Sequence, residues 1–326
     1  MGKEEKKMIK DRYINPLTDF GFKKLFGEAA NKELLIHFLN QLLPEKHQVE
    51  DLEYLPSERL PSSFLDRKVI FDIYCTSSRG EHFIIELQRS KQNHFIDRSI
   101  FYSTFPIQEQ SERGDWNFKL WPIYTICILD FKINQPNPHN RVIRYVQLKD
   151  QDKELFFEDL TYIYIELPNF TKTLDELEDL QDKWLYLFRY LAKLEDRPAA
   201  LQERIFIGLF RAAEIASYSI EERQNYEVSL KKHRDIKNVI DTALEEGLEK
   251  GRAEGLEEGL EKGLEQGREE GREEGLKEGE ERGLEKGALA AKKAMAKQMQ
   301  AANLPLDQIA QITGCSLEQL KNWLKD

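Results

Sequence analysis

The stretch Lys68–Gln88 constrains the chain most tightly, because it reads as a β-hairpin with an acid inside each strand. Two runs rich in Ile, Phe, Val and Tyr flank a polar turn containing Gly80, the pattern of strand, turn, strand. Asp72 lies in the first run and Glu86 in the second. Strand interiors disfavour both residue types, and sequences break such local rules chiefly at functional sites. A three-residue loop, Ser78 to Gly80, needs Gly80 in the left-handed conformation. That loop sets Ser77 opposite Glu81, Asp72 opposite Glu86 and Gln88 opposite Ile70. Ile70, Asp72 and Tyr74 then share a face, as do Ile84, Glu86 and Gln88. Opposed carboxylates lie about 5 Å apart and repel unless a cation comes between them. Mg²⁺, commonly held by one or two carboxylates plus waters and phosphates, suits the gap. A slip of one residue would send the acids to opposite faces. A half-exposed hairpin with two solvated acids is the other reading of the same spacing.

The 326 residues can hold two domains, or one domain with appendages, and 40% hydrophobic content supports a sizeable core. Cys75, Cys127 and Cys315 are odd in number and form no C-x-x-C pair. Cys75 and Cys127 fall in apolar runs and are expected as buried thiols in a reducing cytoplasm. The histidines show no zinc-ligand spacing. The amino terminus has no apolar signal region, and Lys6 breaks the myristoylation pattern. No apolar run approaches membrane-spanning length, so a soluble cytoplasmic protein is expected, with no membrane partner.

The net charge of −11 argues against nucleic acid until its distribution is considered. Residues 245–287 carry 16 Glu and 8 Lys or Arg, which leaves only −3 for the remainder. A near-neutral body can still present a basic groove.

Residues 13–43 begin with a short capped helix ending at Gly27. A second helix carries Leu34, Leu35, Phe38, Leu39, Leu42 and Leu43 on one stripe, with Pro44 as the stop. Asp19 reads as a cap or first-turn acid, with a metal-site role as the alternative. Glu33 suits the first turn of the second helix, with the same alternative. Residues 48–66 form a connector with one short strand near Val49–Leu55. After the hairpin, residues 94–113 look helical, with Pro106 as a kink or break. Ile123–Phe131 is a continuous apolar run typical of a strand buried on both faces. Val142–Leu148 and Tyr162–Leu167 are further strands. Residues 171–196 and 199–243 read as helices, the first starting at a Thr cap. Interleaved strands and helices make the body α/β, a sheet covered by helices.

Glycine recurs every fourth residue from Gly247 to Gly287, among Glu, Leu, Lys and Arg. A four-residue period drifts about 40° per repeat around a helix, so the Gly and Leu stripes wind around it. Eleven helical glycines cost roughly 10 kcal/mol relative to Ala. Glu–Lys pairs four apart, such as Glu246–Lys250 and Glu258–Lys262, return about 0.2–0.5 kcal/mol each. A lone helix here is marginal. The repeat is a charged semi-flexible spacer, or a self-associating coiled-coil-like helix in which Gly allows close backbone approach. In the tail, Ala288–Ala302 forms a helix, Leu306–Ile312 forms a second closed by Gly314, and Ser316 caps Leu317–Leu324. The pair resembles a helix-turn-helix module, with a small dimerising cap as the alternative. The layout is residues 1–243, 244–287 and 288–326.

Several stretches together resemble the recombination-promoting nuclease and transposase family of the PD-(D/E)XK nuclease superfamily. They are Asn15–Gly27, Phe71–Tyr74, Ile85–Gln88, Asp97–Ser99, Ile126–Phe131, Ile165–Pro168, Asp182–Leu185 and the Gly-Leu-Glu-Lys-Gly repeat. The likeness runs over about residues 13–287. It implies a restriction-endonuclease-like core, a mixed sheet flanked by helices, with the glycine-repeat helix and small helical tail appended.

The resemblance also implies a Mg²⁺-dependent DNA endonuclease, with Mn²⁺ as another usable cation, acting in recombination or mobile-element movement. Asp72 and Glu86 would ligate the metal, and the Leu87 carbonyl would supply a third oxygen. The superfamily usually has Lys at the third motif position, where this chain has Gln88. Gln can orient a water but brings no charge, so a cation must come from elsewhere. Lys91 and Arg98 are nearest in sequence, and Arg98, Tyr102 and Gln110 on the following helix are candidates to face the site or the DNA. Two other classes remain open. One is a nuclease-like DNA-binding protein that cleaves little. The other is an assembly protein that forms homo-oligomers through residues 245–326.

Overall fold

The computed structural model describes residues 11–59, 69–111 and 117–325. The amino-terminal segment, Lys68 and the end of the expected 94–113 helix lie outside them. Contacts divide the chain into two units, up to Thr242 and from Ala243.

The first unit opens with a local lock that explains the run from Asn15 to Gly27. Asn15 Oδ1 accepts from Leu17 N at 2.9 Å, and the Thr18 hydroxyl donates to Asn15 O at 2.8 Å. Thr18 then caps helix α1 (Asp19–Phe26) by accepting from Gly21 N at 3.0 Å. A Cβ on Gly21 would fall 2.1 Å from Asn15 O, so only glycine fits. Asp19 is a first-turn acid. Helix α2 (Lys32–Asn40) buries Leu34, Leu35, Phe38 and Leu39, and Leu42 and Leu43 continue the stripe.

The connector gives strands β1 (Leu52–Tyr54) and β2 (Glu58–Arg59), and β3 (Val69–Ile70) pairs with β2 as a separate two-stranded sheet. Strands β4 (Ile73–Ser77) and β5 (His82–Gln88) form the hairpin. Ile73 pairs with Ile85 and Thr76 with His82, the expected register. Ser77 N donates to Glu81 O at 2.9 Å and Gly80 has φ +94°, so the turn closes as the residues demand.

Two details differ. Asp72 is not inside a strand but at the bend between β3 and β4. Ile70 is drawn off to pair with Glu58, so Gln88 faces Leu129 on its other side rather than Ile70. The side sheet, closed also by Phe71 N on Ser57 O at 2.9 Å, competes for the first strand and wins its start.

Helix α3 (Phe95–Glu109) accommodates Pro106 in its interior and carries the chain to β6 (Ile123–Leu129), buried throughout. Strand β6 runs parallel to β5, as a helical crossover permits. Strands β7 (Ile143–Lys149) and β8 (Leu155–Glu166) complete a six-stranded mixed sheet of order β1-β4-β5-β6-β8-β7. Ser99 and Ser103 of α3 hydrogen-bond the Tyr164 and Tyr162 hydroxyls, each at 2.7 Å, fixing α3 to one face. The main core fills the other face, where α1 and α2 meet α4 (Leu180–Tyr190) and α5 (Arg204–Ala213). The expected mixed sheet flanked by helices is thus present.

Neither long helix expected over 171–196 and 199–243 forms as one piece. Thr173 caps only a 3₁₀ turn, Leu174–Glu176, and Asp179 caps α4. Helix α5 ends before a 3₁₀ turn at Ile215–Ser217, and α6 (Ile220–Ala301) then runs unbroken through the whole glycine repeat.

In the second unit the repeat's Leu side chains are exposed, and a Cβ added to any of its glycines would meet nothing within 4 Å. Lys262 pairs with Glu258 at 3.5 Å, while Lys250 chooses Glu254, at 3.8 Å, over Glu246. Ala296 packs against α7 (Leu306–Thr313) and α8 (Leu317–Trp323), with Ile309, Ala310 and Leu320. Gly314 caps α7 at φ +63°, and Ser316 caps α8 in a capping box with Gln319. Among the described residues no helix is long and apolar enough to cross a membrane.

Candidate active site

The hairpin register brings Asp72 and Glu86 together through reciprocal backbone contacts. Hydrogen-bonded pairs alternate along an antiparallel ladder, so from the 77–81 pair onward Leu87 turns its N–H toward β4. The bend at Asp72 leaves that N–H no strand partner, and the Asp72 carboxylate takes it instead, Oδ2 accepting at 2.8 Å. Glu86 Oε1 in turn accepts from Asp72 N at 3.3 Å. The two acids are therefore held by the ends of their own strands. The break in β4 is what aims Asp72 across the hairpin.

Neither acid has an ion-pair partner among the described residues. Glu86 is 8% exposed. Burial and then the Asp72 charge push its carboxyl up to about 8, against the weaker pull of Arg98 and Lys23. Burial also raises Asp72, opposed by the Leu87 hydrogen bond and by Lys23 and Arg89. Lys23 is itself tied to Asp19, at 3.0 Å, so α1 sets a charge pair near the acids without completing an ion pair to them. A cavity of about 360 Å³ opens beside Asp72, lined by Phe20, Lys23, Lys24 and Tyr54.

A buried and a half-buried carboxylate, mutually repelling and next to a backbone carbonyl of the same strand edge, are a hard-oxygen donor set that fits a divalent cation. Among the described residues no group of three or more His, Cys, Asp or Glu is disposed to hold a metal. Among the described residues, a cation here would draw on these two carboxylates, with the Leu87 carbonyl available beside them.

Gln88 lies on the Glu86 face, and its amide is oriented by neighbours. Oε1 accepts from Arg98 Nη2 at 2.6 Å and Nε2 donates to Ser90 O at 3.0 Å. Arg98 also donates to Gln92 and stacks 5.3 Å over Phe95 and 5.7 Å over Tyr102. Tyr102 packs edge-on to Phe71 at 5.4 Å, and burial followed by the Glu86 charge raises its hydroxyl. Of the sequence candidates, Asp72, Glu86, Leu87, Gln88, Arg98 and Tyr102 thus come together. Lys91 is exposed beside Asn93 and His94 on a separate cavity of about 320 Å³. Gln110 clamps the Trp121 backbone, donating to its O at 3.3 Å and accepting from its N at 2.6 Å.

Glu33 lies on a cavity of about 670 Å³, with His37 and Glu203, away from the acid pair. His37 there accepts from Trp184 Nε1 at 2.9 Å and Glu203 is paired with Lys183, so the acid pair is the stronger candidate despite its smaller cavity. Lys23 and Arg89 were not singled out from sequence. Lys23 lies inside the Asn15–Gly27 run and Arg89 directly follows Gln88, so adjacency to both motifs was the available signal.

A mixed sheet flanked by helices, with two acids at the broken end of its central hairpin, defines a nuclease-like class. The family model described as "PD-(D/E)XK nuclease family transposase" matches residues 16–243, more than two-thirds of the chain, and the chain belongs to that family. No curated protein matches the chain, and no solved structure does.

Proposed function

We propose that the chain is a metal-dependent DNA endonuclease linked to recombination or mobile-element activity. The observation that carries this reading is the Asp72–Glu86 pair: a half-buried and a buried acid held against each other by reciprocal backbone contacts, in a member of a nuclease family. Asp72 and Glu86 would hold Mg²⁺, or Mn²⁺, with the Leu87 carbonyl beside them. The bound cation would supply Lewis acidity toward the scissile phosphate and toward a water. The side chains do the rest. Gln88 keeps one amide hydrogen and one lone pair free of its described partners, enough to orient a water. Arg98, held against Gln88, brings the positive charge that Lys would have brought in the usual motif. Tyr102 would sit beside Glu86 under Arg98, and Lys91, exposed on its own cavity, would offer a backbone-phosphate contact away from the acids. The family description's word transposase supports the link to mobile DNA.

Three free cysteines, two of them buried, accord with a reducing cytoplasm. Residues 1–243 would carry the chemistry, 244–287 the spacer and 288–326 a helical module. The exposed Leu residues along the repeat favour a second reading for this part, in which residues 245–326 join copies of the chain. Plasmid nicking in Mg²⁺ tests the main reading. The native chain should nick, and Asp72→Ala should lose at least about 10²–10³-fold in rate while its circular dichroism stays native. Binding in EDTA without turnover in Mg²⁺ or Mn²⁺ would instead make this a DNA-binding protein of the same fold.

A further inference from the structure

The stripe that docks the start of α6 changes character where β5 ends. Tyr226 and Leu230 are buried in the main core, with the Tyr226 hydroxyl accepting from Asn15 N at 2.8 Å and Ser229 Oγ accepting from Phe20 N at 3.1 Å. The next inward position on the same helix face is not apolar but His233, half-buried, followed a turn later by exposed Lys237. Strand alternation carries Arg89 to that same face of the sheet, following core-facing Ile85 and Leu87.

Both side chains end in unmet hydrogen-bonding capacity. Arg89 Nη1 and His233 Nδ1 are buried from solvent and have no hydrogen-bond partner among the described residues. A buried polar atom without a partner is uncommon and calls for an explanation. The surroundings suggest one. Burial and then the charges of Arg89, Lys237 and Arg234 all disfavour protonation of His233. Arg234 has Asp11 at 3.9 Å, and Lys237 lies within electrostatic reach of Asp130 at the end of β6. Arg89 acts on Asp72 through space, without a hydrogen bond or ion pair to it. Arg89 is thus within electrostatic reach of both Asp72 and His233, and its buried Nη1 has no hydrogen-bond partner among the described residues.

We propose that Arg89 and His233, with exposed Lys237 one turn further along α6, form a binding subsite for a DNA backbone phosphate adjoining the Asp72–Glu86 pair. Arg89 would donate from its fixed guanidinium fork, and His233 would supply a neutral N–H or, once the phosphate is present, a charged one. The subsite seats the strand so that a neighbouring phosphate lies over the acids. This rests on the reading of DNA as the substrate, but it does not require cleavage.

Fluorescence anisotropy with a short labelled duplex, in EDTA and over a range of salt, reads the subsite without turnover. A phosphate contact contributes about one unit to the slope of log affinity against log salt. Arg89→Gln should weaken binding by about tenfold and lower that slope by about 1, with Arg89→Lys recovering most of the slope. His233→Leu should weaken binding with a smaller change of slope, since its contribution is mainly a hydrogen bond. Unfolding midpoints measured alongside separate a folding defect from a lost contact. An unchanged slope and affinity in folded Arg89→Gln would overturn the subsite. So would a native chain that does not bind the duplex in EDTA. Either result would leave the acid pair to be judged separately by nicking in Mg²⁺, while loss of nicking with an intact salt slope would spare the subsite and remove the nuclease reading.

Discussion

Two glutamates are buried in the same sheet, and they are treated in opposite ways. Glu166, at the end of β8, is 1% exposed and fully met: Arg144 Nη1 donates to one oxygen at 3.1 Å and Ile133 N to the other at 3.1 Å. Glu86, on β5 two strands away, is nearly as buried, yet its close neighbour is another acid. A buried charge is tolerated when paired and hydrogen-bonded and is otherwise pushed toward its neutral form. Glu166 is a completed ion pair that ties β7 to β8. Glu86 has an acid where Glu166 has an arginine, and the proposed function gives that difference its purpose.

The contrast can be broken from either side. The largest effect should come from Arg144→Ala, which leaves Glu166 buried and uncompensated and should destabilise the fold by about 3–5 kcal/mol in urea unfolding. If Arg144→Ala unfolds like the native chain, Glu166 is not the structural member of the comparison.

Glu86→Gln should do the reverse in metal-free buffer. The folded carboxyl titrates near 8, above its ordinary 4.5. Its contribution is therefore fully present below pH 4.5 and is lost as pH rises through about 8. Removing the ionisable group should raise stability above pH 8 by on the order of 2–3 kcal/mol, part of the burial being shared with Asp72. It should also flatten the decline of stability between pH 5 and 8. Parallel pH profiles for the two chains would contradict the raised carboxyl.

Arg98→Ala should slow nicking by about 10–100-fold, the usual cost of removing a group that orients the residues around a metal. Arg98→Lys should recover only part, because a point charge cannot reproduce the guanidinium hold on Gln88 and Gln92. The smallest effect belongs to the glycine repeat, whose glutamates are solvated rather than buried. Replacing Gly263 by Ala meets open space. It should add about 1 kcal/mol of helix stability, seen as a higher thermal midpoint by circular dichroism. A drop instead would mean that glycine is needed there for close approach of another chain.

The hairpin was legible because register follows from turn length and alternation, both local: Ser77 to Glu81 and Gly80 alone fix which residues oppose. The tail was legible for the same reason, through Gly314 and Ser316. What escaped depends on partners distant in sequence. Nothing near Ile70 shows that Glu58 will claim it, and so the bend that frees Asp72 from its strand was hidden. Arg98 was visible as a candidate because it is among the nearest cations after the motif, but its grip on Gln88 required the packing of α3. His233 lies in the stretch read only as a helix over 199–243, and the docking of Tyr226 and Leu230 is what turns it inward. The late start of α4 was missed because Thr173 and Asp179 each offer a cap, and only the second starts a full helix.

The central claim is that Asp72 and Glu86 hold a divalent cation for cutting DNA. The rate of supercoiled-plasmid nicking against Mg²⁺ concentration, measured side by side for the native chain and Glu86→Gln, tests it most directly. The native chain should show saturable, EDTA-sensitive nicking, and the folded variant none above background. Equal nicking by both chains would contradict it.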